Sequence, residues 1–226
     1  MGIPISSRCN NRCIGCHVAD KIPREDMPFA EILRRARKGG VISLMGGEPT
    51  VRRDFPDILE RLCLLFPNKE VHVMTNGRRF SDREFAEDVF SRVEIGRLRV
   101  YVNFYSHLPE VHNSITRVKV SHAQTLEGIR NLLDLGVRVV LRTLVNRLNY
   151  SKLEKTAEFV CGELRGVREH QFLNPMITGR AQEHSDVFML RFSEVIPHVA
   201  SAIGILRSCG IKGSVRHFPY CVLPEG

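Results

Sequence analysis

The stretch Val41-Ile42-Ser43-Leu44-Met45-Gly46-Gly47-Glu48-Pro49 shows the pattern on which the whole chain is built. Five mostly apolar residues are typical of a buried strand, and the two glycines that follow them end it. A helix then begins at Asp54 or Pro56 and continues to Phe66, because isoleucine and leucine recur there at helical spacing. Residues 71–75 form the next strand, so this part of the chain is a β-α-β unit.

The same alternation extends over nearly all 226 residues. The further predicted strands are 3–6, 98–105, 137–145 and 169–173, and the further predicted helices are 29–38, 82–90, 121–135, 150–164 and 193–208. Repeated β-α alternation predicts a parallel sheet with right-handed crossovers. A closed barrel of eight units needs about 250 residues, so about six units predict an α/β fold with an open, partial (β/α)6 TIM-like barrel. In such folds the chemistry lies at the C-terminal ends of the strands.

Composition limits the class of protein. An apolar fraction of 43% is enough for a substantial core, and no apolar run reaches the roughly 18 residues that a membrane span needs. The net charge of +8 permits an acidic partner such as a nucleotide or RNA. The arginines are spread over the whole length, however, and a solvated surface explains them equally well. Seven cysteines without a secretion signal favour metal chemistry over disulfides and predict a cytoplasmic protein.

The segment Cys9-Asn10-Asn11-Arg12-Cys13-Ile14-Gly15-Cys16 is a C-x3-C-x2-C run directly after the first strand. Thiolates are soft ligands that suit iron–sulfur clusters or zinc. Three of them can bind three corners of a four-iron cluster and leave the fourth iron open. A structural zinc site would need a fourth ligand, which His17 could supply. Residues 13–17 also match the C-x-x-C-H pattern of c-type haem attachment, but that attachment is typical of secreted, mostly helical proteins.

Several motifs, in order along the chain, resemble those of the radical S-adenosylmethionine superfamily. After the cysteine loop, Gly46-Gly47-Glu48-Pro49 follows the second strand and Thr75-Asn76-Gly77 follows the third. Residues 127–137 and Gly179-Arg180-Ala181 match two further stretches of the family. The likeness therefore covers residues 9 to about 181. It implies one domain over residues 1–208 with a cluster loop at 9–17, and a C-terminal segment, 209–226, that closes the barrel or leads to an extension.

The resemblance implies a [4Fe–4S] cluster on Cys9, Cys13 and Cys16, with S-adenosylmethionine on its open iron. The reduced cluster would cleave this sulfonium to methionine and a 5′-deoxyadenosyl radical, which abstracts hydrogen from a substrate. The glycines of the second motif would leave bare backbone groups that a ligand can approach, and Glu48 would fix the loop or meet a cation.

Other polar residues at strand ends are implied to contact the same cofactor. Pro49 would stiffen its turn, and Asn76 would lie beside the cofactor at the end of the third strand. Asn103 would meet the ribose, Arg142 the carboxylate and Asn174 the adenine. Ordinary strand polarity explains Asn103 and Arg142 about as well.

Gly15 departs from the family pattern, which has an aromatic residue just before the third cysteine. That aromatic residue contacts the adenine, so we expect ring packing here from another residue, such as His17 or a later loop.

The remaining cysteines divide into two groups. Cys63 and Cys161 lie on apolar helix faces and are expected in the core. Cys209 and Cys221 flank a short C-terminal segment and could belong to a second cluster, although two thiols fall short of a four-thiolate set. Alternatively, Cys221 could lie at the barrel mouth as a catalytic hydrogen donor.

The expected substrate is a peptide or a small molecule. Arg52-Arg53 and Arg78-Arg79 follow two strand ends, and arginine binds carboxylate or phosphate with two hydrogen bonds. We therefore hypothesise that some of these four arginines hold an anionic group of the substrate, with Arg53 and Arg78 as the first to test. An electron donor such as flavodoxin or ferredoxin would be the protein partner. The alternatives are an activating enzyme for glycyl-radical enzymes, an RNA-modifying enzyme and, from another class, a non-catalytic zinc scaffold.

Overall fold

The computed structural model describes residues 2–17 and 25–222, and its core element is a parallel β-sheet. The seven strands run in sequence order across the sheet. They are β1 (Ile3–Ser6), β2 (Val41–Gly46), β3 (Glu70–Thr75), β4 (Leu98–Asn103), β5 (Val139–Leu144), β6 (Glu169–Leu173) and β7 (Lys212–Arg216). The predicted α/β class is confirmed, and β7 lies within the C-terminal segment 209–226.

Nine α-helices occur among the described residues. They are α1 (Phe29–Ala36), α2 (Phe55–Leu65), α3 (Arg83–Ser91), α4 (Pro109–Thr116), α5 (Ser121–Asp134), α6 (Leu153–Glu163), α7 (Arg180–Glu183), α8 (Ser185–Phe188) and α9 (Phe192–Ser208). None of the helices in this part of the chain is both long and apolar enough to cross a bilayer.

Local sequence signals explain where the helices begin and end. The Asp82 carboxylate accepts a hydrogen bond from the Phe85 amide at 3.2 Å and so caps α3. Gly136 follows the last turn of α5 with φ of +72°, a conformation that glycine adopts without strain. Asp82 therefore marks the start of α3, and Gly136 marks the end of α5.

The chain divides into two compact units. The first comprises the described residues of 1–11, 18–102 and 124–139, and the second those of 12–17, 103–123 and 140–226. In the first unit, alternate residues of β3 are buried, namely Val71, Val73 and Thr75. In the second, Leu141 and Phe172 are buried on β5 and β6, which pair in parallel. The predicted segment 209–226 includes residues 223–226, which lie outside the described part of the chain.

Candidate functional site

Gly46 and Gly47 bind the end of β1 in the first unit. The Gly47 amide donates to the Ser6 carbonyl at 2.7 Å, and the Glu48 amide donates to the Arg8 carbonyl at 2.8 Å. A Cβ atom on Gly46 would lie 2.2 Å from the Ser6 oxygen, and one on Gly47 would lie 2.3 Å from the Arg8 oxygen. The Gly47 amide is therefore not bare, contrary to expectation, whereas the contact of Gly46 and Gly47 with the cofactor stays a prediction. Close packing against the segment that leads to Cys9 requires the glycines.

Glu48 is a buried carboxylate that joins the end of β2 to the end of β3. Its Oε1 accepts from the Thr50 amide and hydroxyl at 3.2 and 2.7 Å and from the Thr75 hydroxyl at 2.6 Å. Its Oε2 accepts from the Asn76 amide at 2.6 Å. Burial raises the pKa of Glu48, whereas the donated hydrogen bonds lower it. This network agrees with the loop-fixing role expected for Glu48, and Pro49 is buried at the start of the turn that follows.

The residues after β3 hold the first part of the cysteine loop. The Asn76 Nδ2 group donates to the Asn10 side chain at 2.6 Å and lies 4.0 Å from the Cys9 sulfur. The Arg78 guanidinium donates to the Asn10 carbonyl and, at 2.9 Å, to the Asn11 side chain. The Asn11 amide in turn donates to the Cys9 sulfur at 3.4 Å. Asn76 and Arg78 therefore hold the loop that carries Cys9.

The second unit holds the rest of the cysteine loop. The amides of Arg12 and Ile14 donate to the carbonyls of Thr116 and Ile115, both at 3.0 Å. These two bonds flank Cys13 and attach it to the last turn of α4. The Arg180 amide at the start of α7 donates to the Cys16 carbonyl at 3.0 Å. Two separate helices thus fix the positions of Cys13 and Cys16.

Phe188 explains why the residue before the third cysteine is glycine. A Cβ atom on Gly15 would lie 2.7 Å from the Phe188 ring and 2.9 Å from the Leu144 side chain. Phe188 is buried at the end of α8, in a cluster that includes Ile14, Tyr105 and Ile115. An aromatic side chain does pack at this position, and it comes from a later helix rather than from residue 15.

Tyr105 lies in the same buried cluster as Ile14, the residue that follows Cys13. Burial raises the pKa of Tyr105 well above its ordinary value, and the negative charge of Cys13 acts in the same direction. The charge of Arg142, on β5, acts in the opposite direction. The tyrosine therefore keeps its proton.

The polar residues predicted at the other strand ends are half-buried. Asn103 is the last residue of β4, and Arg142 lies within β5. The Asn174 amide donates to the Arg216 carbonyl at 2.9 Å, and its side chain donates to the His217 carbonyl at 3.2 Å. Asn174 therefore joins the ends of β6 and β7, and its predicted role at the adenine stays a prediction, as do those of Asn103 and Arg142.

A family model described as "Radical SAM superfamily" matches residues 3–160, which is more than half of the chain. The chain belongs to the radical S-adenosylmethionine superfamily. The matched range contains the cysteine loop, the Glu48 network and the first five strands, and it confirms the resemblance seen in the motifs.

Named relatives agree with the radical SAM assignment. The chain is 31% identical over 198 residues to a probable GTP 3′,8-cyclase of Methanocella arvoryzae, covering 83% of this chain and 61% of the relative. It is 29% identical to a probable GTP 3′,8-cyclase of Saccharolobus solfataricus, covering 99% and 70%. The crystal structure of Streptococcus suis SuiB bound to S-adenosylmethionine has a TM-score of 0.75 at 14% identity and covers 94% of this chain and 49% of that one. The chain thus spans only part of the length of these proteins.

Radical SAM enzymes use a [4Fe–4S] cluster and S-adenosylmethionine, and the cysteine loop fits such a cluster chemically. It offers three soft sulfur donors, of which Cys9 is exposed and Cys13 and Cys16 are half-buried. Donors from Asn11 and Asn76 already point at the Cys9 sulfur, as is usual around cluster sulfurs. Within the described residues, no three Cys, His, Asp or Glu side chains are close enough to hold one ion. The convergence of the three thiols on one cluster therefore remains a prediction.

The remaining cysteines differ partly from expectation. Cys63 is buried in α2, as predicted, and burial raises the pKa of its thiol. Cys161 is half-buried rather than in the core, and it forms a disulfide with Cys209 across a Cα–Cα distance of 6.1 Å. This pair contradicts the expectation that metal chemistry would take the place of disulfides. Cys221 is exposed in a short turn, and its predicted catalytic role stays a prediction.

Two features of the radical SAM site were missed by reasoning from the sequence. Arg78 was assigned to the substrate, but its guanidinium binds the cysteine loop and, at 2.8 Å, the Gln124 side chain. Tyr105 was not singled out, because it falls at the end of an apolar strand and looks like an ordinary core residue. The only sequence signal for Tyr105 was its place just beyond the C-terminal end of β4, where functional residues of parallel sheets gather.

Proposed function

We propose that this chain is a radical SAM enzyme that binds a [4Fe–4S] cluster through Cys9, Cys13 and Cys16 and abstracts hydrogen from a small-molecule or peptide substrate. When reduced, the cluster supplies the electron that cleaves S-adenosylmethionine to methionine and a 5′-deoxyadenosyl radical. The observation that carries the proposal is the cysteine loop itself, held on both sides of Cys13 by backbone hydrogen bonds to α4.

The residues of this chain have three tasks in that reaction. The thiols bind the cluster, and Asn76 and Arg78 orient the loop that carries Cys9. The apolar cluster around Ile14 and Phe188 excludes water behind Cys13. Asn103, Arg142 and Asn174 are proposed to contact the bound S-adenosylmethionine at the ends of their strands.

The test is an anaerobic reconstitution with iron and sulfide, followed by dithionite and S-adenosylmethionine and by quantification of 5′-deoxyadenosine. We expect product from the wild type, none from Cys13→Ala, and wild-type iron content in the control Cys63→Ala, whose thiol lies in α2 away from the loop. Zinc without acid-labile sulfide in the purified protein would instead support the zinc scaffold. A loaded cluster without any cleavage would contradict the proposed activity.

GTP is the first substrate to test, because the named relatives are probable GTP 3′,8-cyclases. A nucleotide also suits the net charge of +8 and the exposed Arg53 that follows β2. With GTP as substrate, 5′-deoxyadenosine should form faster than in its absence, and a modified nucleotide should be detectable by mass spectrometry. Arg53→Ala should weaken GTP binding without changing iron content. The same rate with and without GTP would exclude it as the substrate.

Cys221 is proposed as a hydrogen donor near the substrate. Cys221→Ala should then leave S-adenosylmethionine cleavage intact and lower the yield of final product. An unchanged product yield would remove Cys221 from the mechanism.

A further inference from the structure

The strands β3 and β4 of the first unit have one apolar face and one polar face. Four side chains of the apolar face are fully buried, namely Val71, Val73, Leu98 and Val100. The residues that alternate with them are only half-buried, and they are Glu70, His72, Met74, Arg99 and Tyr101. Strands of parallel sheets are usually apolar on both faces, because both faces are covered. Charged residues on the second face therefore indicate a surface that meets polar groups or water rather than an apolar core.

Three of these side chains form a connected polar group. His72 and Arg99 are neighbours in the register of the two strands. The Arg99 Nη2 group donates to the Glu70 Oε1 atom at 3.2 Å, and the Glu70 Oε2 atom lies 3.1 Å from the His72 Nε2 atom. The hydrogen bond with His72 and the pairing with Arg99 lower the pKa of Glu70. Glu70 is therefore a carboxylate at neutral pH.

Arg99 has a donor that no described protein group satisfies. Its Nε atom is buried and has no hydrogen-bond partner within residues 2–17 and 25–222. A buried donor without an acceptor is unfavourable, and in folded proteins such a donor is usually satisfied by an ordered water or a ligand. The Glu70 side chain beside it is 40% exposed, and a carboxylate can accept about four hydrogen bonds. The pair thus offers an open donor next to an acceptor with spare capacity.

The opposite charges of Arg99 and Glu70 offset each other, so the pair suits a neutral polar group better than an anion. A planar amide edge, which has a carbonyl beside an N–H group, would accept from Arg99 and donate to Glu70. The lactam edge of guanine has this arrangement. The rings of His72 and Tyr101, whose centroids lie 5.1 Å apart, add flat surfaces on which a base can stack.

This pair lies on the strand that also supports the cysteine loop. β3 ends at Thr75, whose hydroxyl donates to Glu48, and Asn76 follows. Since a parallel strand rises about 3.3 Å per residue, His72 lies about 10 Å along β3 from Thr75. A ligand of nucleotide size can therefore extend from the end of β3 to the Arg99–Glu70 pair.

We propose that Arg99 and Glu70 form a substrate-recognition site that binds the lactam edge of a guanine base. The Arg99 Nε group donates to the carbonyl of the base, and Glu70 accepts from the N–H group beside it. This inference deepens the proposed function, on which it rests for GTP as the substrate. It assigns neither residue a contact with the cluster or with S-adenosylmethionine.

The test is isothermal titration calorimetry of the reconstituted protein with GTP and, separately, with inorganic triphosphate. Arg99→Lys keeps the charge beside Glu70 but removes the Nε donor, and Glu70→Gln replaces one acceptor oxygen with a donor. Each change should lower the affinity for GTP about tenfold, as expected for one hydrogen bond to a charged group, and leave the affinity for triphosphate unchanged. The matched control is Arg138→Lys, since the exposed Arg138 side chain donates to the Gly96 carbonyl, and its affinity for GTP should equal that of the wild type.

The outcomes separate this inference from the proposed activity. Wild-type affinity for GTP in both variants would overturn the inference alone. Equal losses for GTP and triphosphate would also overturn it, because the pair would then act on the phosphates rather than on the base. A wild type that forms 5′-deoxyadenosine but binds no GTP would overturn it as well, whereas failure of the proposed activity would appear as missing iron or missing 5′-deoxyadenosine. Circular dichroism and thermal unfolding of each variant distinguish a folding defect from a binding defect, and if one variant does not fold, the other decides.

Discussion

Glu48 offers the sharpest test of how the site is built, because one side chain accepts four hydrogen bonds. Glu48→Ala would leave two buried backbone donors, the amides of Thr50 and Asn76, without their acceptor. The hydroxyls of Thr50 and Thr75 can rotate toward other acceptors, but the two amides cannot. An unsatisfied buried donor costs about 1–3 kcal/mol, so we expect the free energy of unfolding to fall by about 2–6 kcal/mol.

Glu48→Gln should have a smaller effect. Oε1 collects three donors and Oε2 only one, so the amide oxygen is expected at the Oε1 position. The new NH2 group then faces the Asn76 amide, donor against donor, at a cost of about 1–3 kcal/mol. Removing a buried charge offsets part of this cost.

The assay is urea unfolding followed by far-ultraviolet circular dichroism, with hydrogen exchange at the Asn76 amide as a local probe. The control is Glu87→Gln, since this half-exposed carboxylate pairs with Arg83 on the surface of α3 and its loss should cost less than about 0.5 kcal/mol. A Glu48→Ala protein within 1 kcal/mol of the wild type would refute the reasoning. A loss of S-adenosylmethionine affinity without loss of stability would instead favour a role of Glu48 toward the ligand.

The same residue predicts a pH dependence. Burial raises the pKa of Glu48 above its ordinary 4.5, so the folded state binds the proton more tightly than the unfolded state. Tighter proton binding by the folded state adds to the free energy of unfolding. This addition is complete below pH 4.5 and is lost as pH rises through the raised pKa. Glu48→Gln should abolish that part of the pH profile, and an unchanged profile would contradict the assignment.

Three further predictions concern the second unit. Gly15→Tyr should lower stability by about 1–3 kcal/mol through overpacking against Phe188, and Phe188→Ala in the same chain should recover part of that loss; additive losses would contradict the contact. Burial lowers the pKa of His170 to about 3, so its stabilising contribution is complete above pH 6.5 and is lost as pH falls. Between pH 6.5 and 5 the free energy of unfolding, measured with urea, should fall by about 2 kcal/mol. This fall should be absent in His170→Gln. The Cys161–Cys209 disulfide closes 48 residues and should contribute about 4 kcal/mol; Cys161→Ser should then unfold like the reduced wild type, and equal stability with and without reductant would show that the bond does not form.

The strands were predictable because their pattern is strong and local. β2 and β3 are apolar runs bounded by glycine or proline, and β-α alternation then leaves few topologies. Helix α4 was missed, because its eight residues include His112, Asn113 and Ser114 and carry no apolar period. That omission mattered, since the last turn of α4 binds the backbone on both sides of Cys13.

The sequence predicted the cysteines expected to bind the cluster, but not the residues that hold the cysteine loop in position. The spacing of three cysteines on one short loop predicts a cluster site. Phe188 and Arg78 are distant from that loop in the sequence, and only folding brings them into contact with it. The Cys161–Cys209 pair was missed for the same reason, since 48 residues separate its members and neither lies in a recognisable motif. Sequence spacing reports local neighbours, and each of these contacts joins residues that are distant in the chain.

The two glycines after β2 lie where the sequence motif predicts them, but the structure gives another reason why they must be glycine. From the sequence, Gly46 and Gly47 were expected to leave room for a ligand, yet their missing Cβ atoms make room for the carbonyls of Ser6 and Arg8. Gly47→Ala would place a methyl group 2.3 Å from backbone that leads directly into Cys9, so it would displace the cysteine loop even if no ligand touched the glycine. A loss of S-adenosylmethionine binding in that variant would therefore report on the loop, and only a variant that leaves the Ser6–Arg8 contact intact can report on the ligand.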